Sequence, residues 1–214
     1  ELDEIFNDFE KDPDLWVAIV TGAGDKAFSA GNDLKWQAEG NPTGRPDSGF
    51  AGLVSRYTMQ KPLIAAVNGL AMGGGFEVAL ACDIIIAAEN AFFALPEPRV
   101  GLAALAGGLH RLSRQIPMKQ AMGMILTGRR VMAEEGYKLG FVTEVVREGE
   151  ALAGALRWAE QILECSPVSI RTSKDVVMRG DEYASVREAF EADYQSVKDM
   201  QNSLDFIEGP LAFS

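Results

Sequence analysis

The stretch that decides the fold is Asn68-Gly69-Leu70-Ala71-Met72-Gly73-Gly74-Gly75-Phe76-Glu77. It reads as a short apolar strand, a turn, three glycines and then a glutamate where a helix begins. Glycine lets another group approach the backbone closely, and a helix start presents unpaired N–H groups and the positive end of a dipole. This combination suits a negative charge that develops on an oxygen, with a carboxylate one turn away to move a proton.

Gly74 and Glu77 are three positions apart, so in a helix they share one face. The N–H of Gly74 is then a free donor of the first turn, and the carboxylate of Glu77 projects beside whatever that donor binds. The alternative is a glycine-rich helix start that packs on a strand, with Glu77 merely favourable near the dipole. The stretch alone leaves both interpretations open.

A second glutamate, Glu97, lies between two prolines after the apolar run 92–95. A carboxyl group beside an apolar wall has a raised pKa, because desolvation favours the protonated acid. A protonated glutamate can donate a proton at neutral pH, whereas an ionised one can take a proton from water. The alternative is an exposed turn glutamate. Glu77 and Glu97 are therefore the candidate acid/base pair.

The segment Phe28-Ser29-Ala30-Gly31-Asn32-Asp33 ends another predicted strand with small residues. The backbone N–H groups of Asn32 and Gly74 can together hold a ligand oxygen as an oxyanion hole. In isolation an ordinary turn and helix cap explains the Asn-Asp pair equally well. A structural role suits the lone His110 better, because no cysteine, serine or second histidine is arranged around it.

The composition bounds the class of protein. With 214 residues and 47% hydrophobic residues, the chain can bury one substantial core, so one domain is expected. A formal net charge of -11 speaks against a nucleic-acid binder, and no apolar run has membrane-spanning length. Cys82 and Cys165 form neither a disulfide framework nor a CxxC metal motif. A cytoplasmic protein is predicted. Apolar residues at helical spacing begin at the first residue, so further residues are expected upstream. A mitochondrial or peroxisomal location therefore stays open.

Strands and helices alternate in the first half, which predicts an α/β arrangement. Strands are predicted over residues 15–21, 63–67, 84–88 and 91–95, and helices over 1–11, 52–59 and 73–82. The loop 40–49, rich in glycine and proline, is the candidate mobile loop or lid. From residue 104 the pattern is mainly helical, with a strand over 141–146 and helices over 118–126, 133–139, 151–165, 168–178 and 183–200.

Taken together, these segments resemble the crotonase family, also called the enoyl-CoA hydratase/isomerase superfamily. The stretches that carry the resemblance run in order along nearly the whole chain: Trp16-Val17-Ala18-Ile19-Val20-Thr21-Gly22, Phe28-Ser29-Ala30-Gly31-Asn32-Asp33-Leu34-Lys35, Lys61-Pro62-Leu63-Ile64-Ala65-Ala66-Val67-Asn68-Gly69, Gly73-Gly74-Gly75-Phe76-Glu77, Leu95-Pro96-Glu97 and Leu126-Thr127-Gly128-Arg129. The resemblance implies a spiral of β-β-α units over residues 1–145. It also implies a helical C-terminal region over 146–214 that assembles homotrimers, often paired as hexamers. The family's first hairpin and its basic tail are expected beyond the two ends.

The resemblance also implies the chemistry. The substrate is an acyl group thioesterified to coenzyme A, whose thioester oxygen lies between the N–H groups of Asn32 and Gly74. Family members that hydrate a double bond carry both glutamates, so Glu77 would activate water at Cβ and Glu97 would exchange the Cα proton. No metal and no separate cofactor are implied, since coenzyme A is part of the substrate. The implied substrate and CoA contacts are Ala30, Asp33, Leu34, Trp36, Phe50 and Leu102.

Within the family, several stretches look similar to the carnitinyl-CoA dehydratase (crotonobetainyl-CoA hydratase) group: Gly49-Phe50-Ala51-Gly52-Leu53, Gly75-Phe76-Glu77 and Glu208-Gly209-Pro210-Leu211-Ala212-Phe213. Its trimethylammonium acyl chain would face aromatics such as Trp36, Phe50 or Tyr57. Core packing explains these aromatics equally well. In addition, Ala104-Leu105 replaces the Pro-Asp that relatives commonly have beside the acyl pocket.

Two alternatives to hydration remain. An enoyl-CoA isomerase of the same family would shuttle a proton with one carboxylate. A non-catalytic relative would keep the fold as a scaffold or bind RNA. The acidic balance speaks against RNA, and the retention of both Glu77 and Glu97 speaks against an inert protein.

Overall fold

The computed structural model describes residues 1–41 and 44–212. Its strands are β1 (Ala18–Thr21), β2 (Ala27–Ser29), β3 (Leu63–Val67), β4 (Leu70–Met72), β5 (Ile84–Ala88), β6 (Phe92–Ala94), β7 (Val131–Met132) and β8 (Glu144–Val146). Its α-helices are α1 (Leu2–Lys11), α2 (Leu34–Ala38), α3 (Gly74–Ala81), α4 (Gly108–Gln115), α5 (Met118–Thr127), α6 (Ala133–Leu139), α7 (Ala151–Leu163), α8 (Pro167–Gly180), α9 (Val186–Glu191), α10 (Gln195–Gln201) and α11 (Leu204–Ala212). Short 3₁₀ helices cover Phe50–Gly52 and Glu97–Val100.

The strands form two four-stranded sheets, and consecutive strands alternate between them up to β6. The first sheet has the order β1-β3-β5-β8, with all neighbours parallel. The second has the order β2-β4-β6-β7, and only its last pair is antiparallel. Each successive pair of strands therefore adds one strand to each sheet, so the chain winds as a spiral of β-β-α units. The predicted α/β crotonase-like fold is confirmed.

The core follows from the period-two alternation of the central strand β3, whose residues are all buried. Leu63, Ala65 and Val67 pack into the main hydrophobic cluster. Ile64 and Ala66 point to the opposite face, where they belong to a second cluster with the alanines of α7. A strand buried on both faces must be apolar throughout, which explains its uninterrupted run of aliphatic residues.

Three rings hold the end of the main cluster nearest the glycine-rich turn. The centroids of Phe76, Phe93 and Phe141 lie 5.1 to 5.2 Å from one another, in tilted and edge-to-face arrangements. Phe76 belongs to α3 and Phe93 to β6, so these contacts fix the helix against the second sheet. The start of α3 is therefore anchored by the packing of Phe76, the residue that directly follows the three glycines.

Two helix predictions are wrong. The helix expected over 52–59 is only the 3₁₀ turn Phe50–Gly52, because Ala51 and Gly52 have positive φ angles of 55° and 66°. The helix expected over 183–200 is divided into α9 and α10. Between them the buried Tyr194 has extended backbone, and its hydroxyl donates a hydrogen bond to the Ala189 carbonyl at 2.9 Å. Burying this ring stops the helix.

Most other expected elements are present. The strands over 63–67 and 84–88 and the helix over 133–139 are confirmed with the predicted bounds, and the helix over 73–82 is one residue shorter at each end. The proposed division at residue 146 falls inside β8, and α7 beyond it packs on the first sheet, so the division stays a prediction.

Residues 42–43 of the loop predicted as a lid lie outside the described residues, as does residue 213 of the last stretch. No helix in the described part of the chain has the length and apolar character needed to cross a membrane.

Candidate active site

The second sheet brings the predicted site segments together. Strands β2, β4 and β6 are neighbours and run parallel, so their carboxyl ends meet at one edge of the sheet. The segments that leave this edge are 30–33 after β2, 73–77 after β4 and 95–97 after β6. Ligands of parallel sheets bind outside the carboxyl ends of the strands. Segments far apart in sequence are therefore adjacent where chemistry is expected.

Glycines allow two of these segments to touch. Gly31 has a φ angle of +84°, and a Cβ added to it would lie 2.8 Å from both the Gly74 nitrogen and the Met72 oxygen. Gly73, with φ +53°, donates its N–H to the Ala94 carbonyl at 2.9 Å and so closes the turn before α3. The loop that carries Asn32 therefore lies directly against the N–H of Gly74.

The N–H groups of Asn32 and Gly74 are unoccupied donors: no oxygen in the described part of the chain accepts a hydrogen bond from either. The Asn32 side chain is directed away, since its Nδ2 donates to Gln37 Oε1 at 2.8 Å on α2. The Asp33 side chain caps α2 by accepting from the N–H groups of Lys35 and Trp36 at 2.9 and 3.1 Å. Of the Asn-Asp pair, only the Asn32 backbone is thus available at the site.

Glu77 is 3% exposed and lies on the first turn of α3. Its Oε1 accepts a hydrogen bond from the Gly108 N–H at 2.9 Å, at the start of α4. Desolvation by burial is the largest effect on the pKa of Glu77 and raises it, and the nearby charge of Glu97 raises it further. The N–H of Gly108 and the charge of Arg45 act in the opposite direction, because they stabilise the ionised carboxylate.

Glu97 is half-buried, and its carboxyl group lies over the glycine turn: a Cβ on Gly73 would be 2.8 Å from Glu97 Oε1. Its Oε2 is buried and has no hydrogen-bond partner in the described part of the chain. Burial raises the pKa of this carboxyl group. The backbone N–H of Glu97 opposes this effect, and the carboxyl group is free to exchange a proton with a ligand.

A cavity of about 390 Å³ lies beside Glu77, since the lining residue Ala106 offers that carboxylate a backbone hydrogen bond. Its lining residues are Arg45, Pro46, Asp47, Gly49, Phe50, Val54, Ser55, Tyr57, Leu105, Ala106, Gly107 and His110. Phe50 links the cavity to the glycine turn, since a Cβ on Gly74 would lie 2.7 Å from Phe50 Cε1. On the opposite wall Gly107 precedes Gly108, whose N–H binds Glu77. The cavity is thus bounded by residues next to Gly74 and Glu77, although neither Glu77 nor Glu97 lines it.

The remaining predicted contacts lie at the periphery. Ala30, Leu34 and Trp36 are exposed on the loop after β2 and on α2. Leu102 is exposed too, and its N–H donates to the Glu97 carbonyl at 3.0 Å. Of the six predicted substrate contacts, Phe50 alone lines the cavity, and the roles of all six remain predictions.

Sequence reasoning missed three participants. Gly108 supplies the hydrogen bond to Glu77 across 31 positions, and no local motif signals that contact. Arg45 and His110 line the cavity, although the sequence favoured a structural role for His110. The imidazole is exposed at the cavity wall instead of packed in the core. Among residues 1–41 and 44–212 no cluster of His, Cys, Asp and Glu has the arrangement of a metal site.

Comparisons with known proteins identify the family of this chain. The model of the family described as enoyl-CoA hydratase/isomerase matches residues 1–214. A carnitinyl-CoA dehydratase of Escherichia coli strain K12 is 44% identical over 225 residues, an alignment that covers 100% of this chain and 84% of that protein. The crystal structure of an enoyl-CoA hydratase from Mycobacterium marinum superposes with a TM-score of 0.92 at 37% identity, covering 99% of this chain and 82% of the other. A carnitinyl-CoA dehydratase from Mycobacterium avium 104 gives a TM-score of 0.80 at 40% identity, covering 99% and 84%.

Proposed function

This chain belongs to the enoyl-CoA hydratase/isomerase family and is a hydratase/dehydratase, and we propose that Glu77, Glu97 and the N–H groups of Asn32 and Gly74 carry its reaction. The reaction is the reversible addition of water across the Cα–Cβ double bond of an enoyl-CoA thioester. One observation supports this assignment above all: two carboxyl groups with raised pKa values adjoin the same turn as two unoccupied backbone donors.

In the hydration direction, the thioester oxygen accepts hydrogen bonds from Asn32 and Gly74. Ionised Glu77 takes a proton from water as the water oxygen bonds to Cβ. The π electrons move toward the carbonyl, and the enolate charge on its oxygen is stabilised by the two N–H groups. Protonated Glu97 then gives its proton to Cα, which completes the addition of one water molecule. Dehydration follows the same steps in reverse.

The surroundings of the two glutamates support this division of roles. Burial raises the pKa of both, but only Glu77 accepts a hydrogen bond from the Gly108 N–H and is affected by the positive charge of Arg45. Those interactions favour the ionised form that a base needs. Glu97 Oε2 has no donor among the described residues, which favours the protonated form that an acid needs.

The variant Glu97→Gln tests the assignment with crotonyl-CoA as substrate. A neutral amide of the same shape cannot donate the Cα proton, so kcat should fall by about 10²- to 10⁴-fold while KM changes little. Glu134→Gln, an exposed glutamate on α6, is the matched control and should keep full activity. Unchanged hydration by Glu97→Gln would remove Glu97 from the mechanism. If the reaction is run in ¹⁸O-labelled water and the product has no label at Cβ, the protein is an isomerase. If no ester is turned over, the protein is a scaffold.

The acyl-CoA thioester is the proposed partner, and we place its coenzyme A part along the exposed segment that carries Ala30, Leu34 and Trp36. Crotonobetainyl-CoA is one candidate ester, by analogy with the carnitinyl-CoA dehydratases. Coenzyme A is supplied with the substrate, and no separate cofactor is part of the proposal. A cytoplasmic location remains a prediction from the sequence.

We also propose a homotrimer or a dimer of trimers built on the C-terminal helices. Val186 and Phe190 on α9 are each 88% exposed, and Phe206 and Ile207 on α11 are 51% and 60% exposed. Large apolar side chains exposed together indicate an interface. Phe190→Asp should lower the molar mass measured by light scattering, whereas Arg187→Asp places the same charge on α9 at a polar position and should not. Equal masses for the two variants would place the interface elsewhere.

A further inference from the structure

The cavity beside Glu77 is larger than a four-carbon acyl chain requires, and it ends in polar groups. Its volume of about 390 Å³ is in the range of small-molecule sites and holds roughly a dozen water-sized groups. Apolar Phe50, Val54 and Leu105 line it together with the polar Arg45 and His110. The hydration mechanism gives none of these polar groups a proton to move. They are therefore available to recognise the far end of the acyl chain.

Arginine side chains of the protein already lie over two aromatic rings of this cavity. The guanidinium carbon of Arg45 lies 5.9 Å from the centroid of the Phe50 ring, and that of Arg111 lies 6.0 Å from the centroid of the Tyr57 ring. Quaternary ammonium groups bind to the faces of such rings. A trimethylammonium group in this cavity would compete with two guanidinium groups for the same rings and would be repelled by both.

Arg45 and Arg111 carry the positive charge at this cavity. Neither Arg45 nor Arg111 forms an ion pair in the described part of the chain. Arg111 is held in place, since its Nη2 donates to the Val54 carbonyl at 2.8 Å behind the cavity wall. Asp47 is the one carboxylate among the lining residues, and it is exposed to solvent. Arg45 is also exposed, and the charge of Glu77 acts on both arginines without forming an ion pair among the described residues, so both guanidinium groups remain available to an anion.

We propose that the acyl chain of the natural substrate ends in a carboxylate, which Arg45 binds in this cavity. The planar guanidinium matches a carboxylate with two parallel hydrogen bonds. The Tyr57 hydroxyl and the His110 ring are further hydrogen-bonding groups among the lining residues. This inference rests on the proposed hydratase function and selects a substrate class different from that in the names of the carnitinyl-CoA relatives.

Three esters that share the reacting carbons test the proposal. Glutaconyl-CoA carries a carboxylate on C4, crotonobetainyl-CoA carries a trimethylammonium group there, and 5,5-dimethylhex-2-enoyl-CoA is the neutral isostere of the latter. We expect kcat/KM to be highest for glutaconyl-CoA, intermediate for the neutral isostere and lowest for crotonobetainyl-CoA. The carboxylate ester should exceed the neutral one by about five- to tenfold, as for one charge-assisted hydrogen bond at a partly exposed site. Raising the ionic strength should reduce this ratio.

Variants assign the preference to Arg45. Arg45→Gln should bring the carboxylate-to-neutral ratio close to one and improve the trimethylammonium ester, whereas Asp47→Asn should increase the ratio. Arg130→Gln removes an exposed arginine that lies 4.7 Å from the Phe92 ring, outside the cavity, and should leave the ratio unchanged. A preference for crotonobetainyl-CoA, or a ratio that Arg45→Gln does not alter, would overturn the proposal while hydration stands. If none of the esters and not even crotonyl-CoA is hydrated, the proposed function itself fails.

Discussion

Replacing Gly31 with alanine tests the close approach on which the oxyanion hole depends. Gly31 has a φ angle of +84°, where an L-residue with a side chain is strained by about 1–2 kcal/mol. Its new Cβ would lie 2.8 Å from the Gly74 nitrogen and 2.8 Å from the Met72 oxygen. Both are backbone atoms, so no side chain can rotate away to relieve the contact.

The size of the expected effect follows from this geometry. To move the Cβ from 2.8 Å to an ordinary contact of 3.4 Å, the loop after Gly31 or the turn at Gly74 must shift by several tenths of an ångström. Donors of an oxyanion hole act at about 2.7–3.1 Å, and losing one typically lowers kcat by about 10²- to 10³-fold. Gly31→Ala moves the Asn32 N–H relative to the Gly74 N–H, so we expect a loss in that range.

The assay follows the loss of the enoyl-thioester absorbance of crotonyl-CoA, with thermal unfolding measured in parallel. Gly24→Ala is the matched control: its φ angle is +79°, and no atom lies within 4 Å of the added Cβ. Both variants should lose roughly 2–8 °C in Tm from the backbone strain. Only Gly31→Ala should lose kcat. If the two variants retain the same kcat, the contact between Gly31 and Gly74 does not position the donors.

Two further predictions concern stability. Because burial raises the pKa of Glu97, the folded protein holds this proton more tightly than the unfolded chain, and stability falls as the pH rises from the unfolded to the folded pKa. At pH values above the pKa of Glu97 in the folded protein, Glu97→Gln should therefore have a higher Tm than the parent. Below the pKa of Glu97 in the unfolded chain this difference in Tm should disappear, and a difference that is the same at all pH values would contradict the prediction. Lys61 is buried and donates to the Phe9 carbonyl at 2.6 Å and to the Asp12 carbonyl beyond α1. Lys61→Met removes the Phe9 carbonyl's donor, whereas the Asp12 carbonyl keeps the Leu15 N–H at 3.4 Å. The variant should cost about 1–3 kcal/mol in chemical denaturation, and Lys11→Met at an exposed position should cost almost nothing.

The sequence was sufficient where a single local cause determines the structure. Strand β3 was predicted with its observed bounds because burial on both faces demands an unbroken aliphatic run. The start of α3 was predicted because three glycines precede an apolar helix with Glu77 on its first turn. The neighbouring positions of β2, β4 and β6 depend on pairing between distant segments. For that arrangement the family resemblance, and not the periodicity, supplied the expectation.

The sequence was insufficient where a contact crosses elements or contradicts a residue preference. Ala51 has a positive φ angle, which alanine rarely adopts, and this turn presents Phe50 to Gly74 in place of the helix that was expected. Gly108 meets Glu77 only because α3 and α4 pack together. Tyr194 ends α9 through burial and a hydrogen bond, although its intrinsic helix propensity is ordinary. Each of these features depends on tertiary structure.

Arg45 couples the two proposals. Its positive charge lowers the pKa of Glu77, so the free enzyme holds a weaker base than burial alone would produce. A substrate carboxylate bound to Arg45 would cancel that charge, and the pKa of Glu77 would rise in the complex. Since Glu77 must be ionised to accept a proton from water, the acid limb of the kcat profile should lie at higher pH for glutaconyl-CoA than for the neutral isostere.

The variant Arg45→Gln makes this coupling testable by removing its source. The acid limb for the neutral ester should then move to higher pH as well, because no cation opposes the effect of burial on Glu77. The pH difference between the acid limbs for the two esters should become smaller in Arg45→Gln, whereas in Arg130→Gln it should persist. Coincident acid limbs for the two esters in the unaltered enzyme would show that the acyl end and the base do not interact. Recognition of the substrate's charge would then affect binding alone. The two esters would differ in KM and not in the pH dependence of kcat.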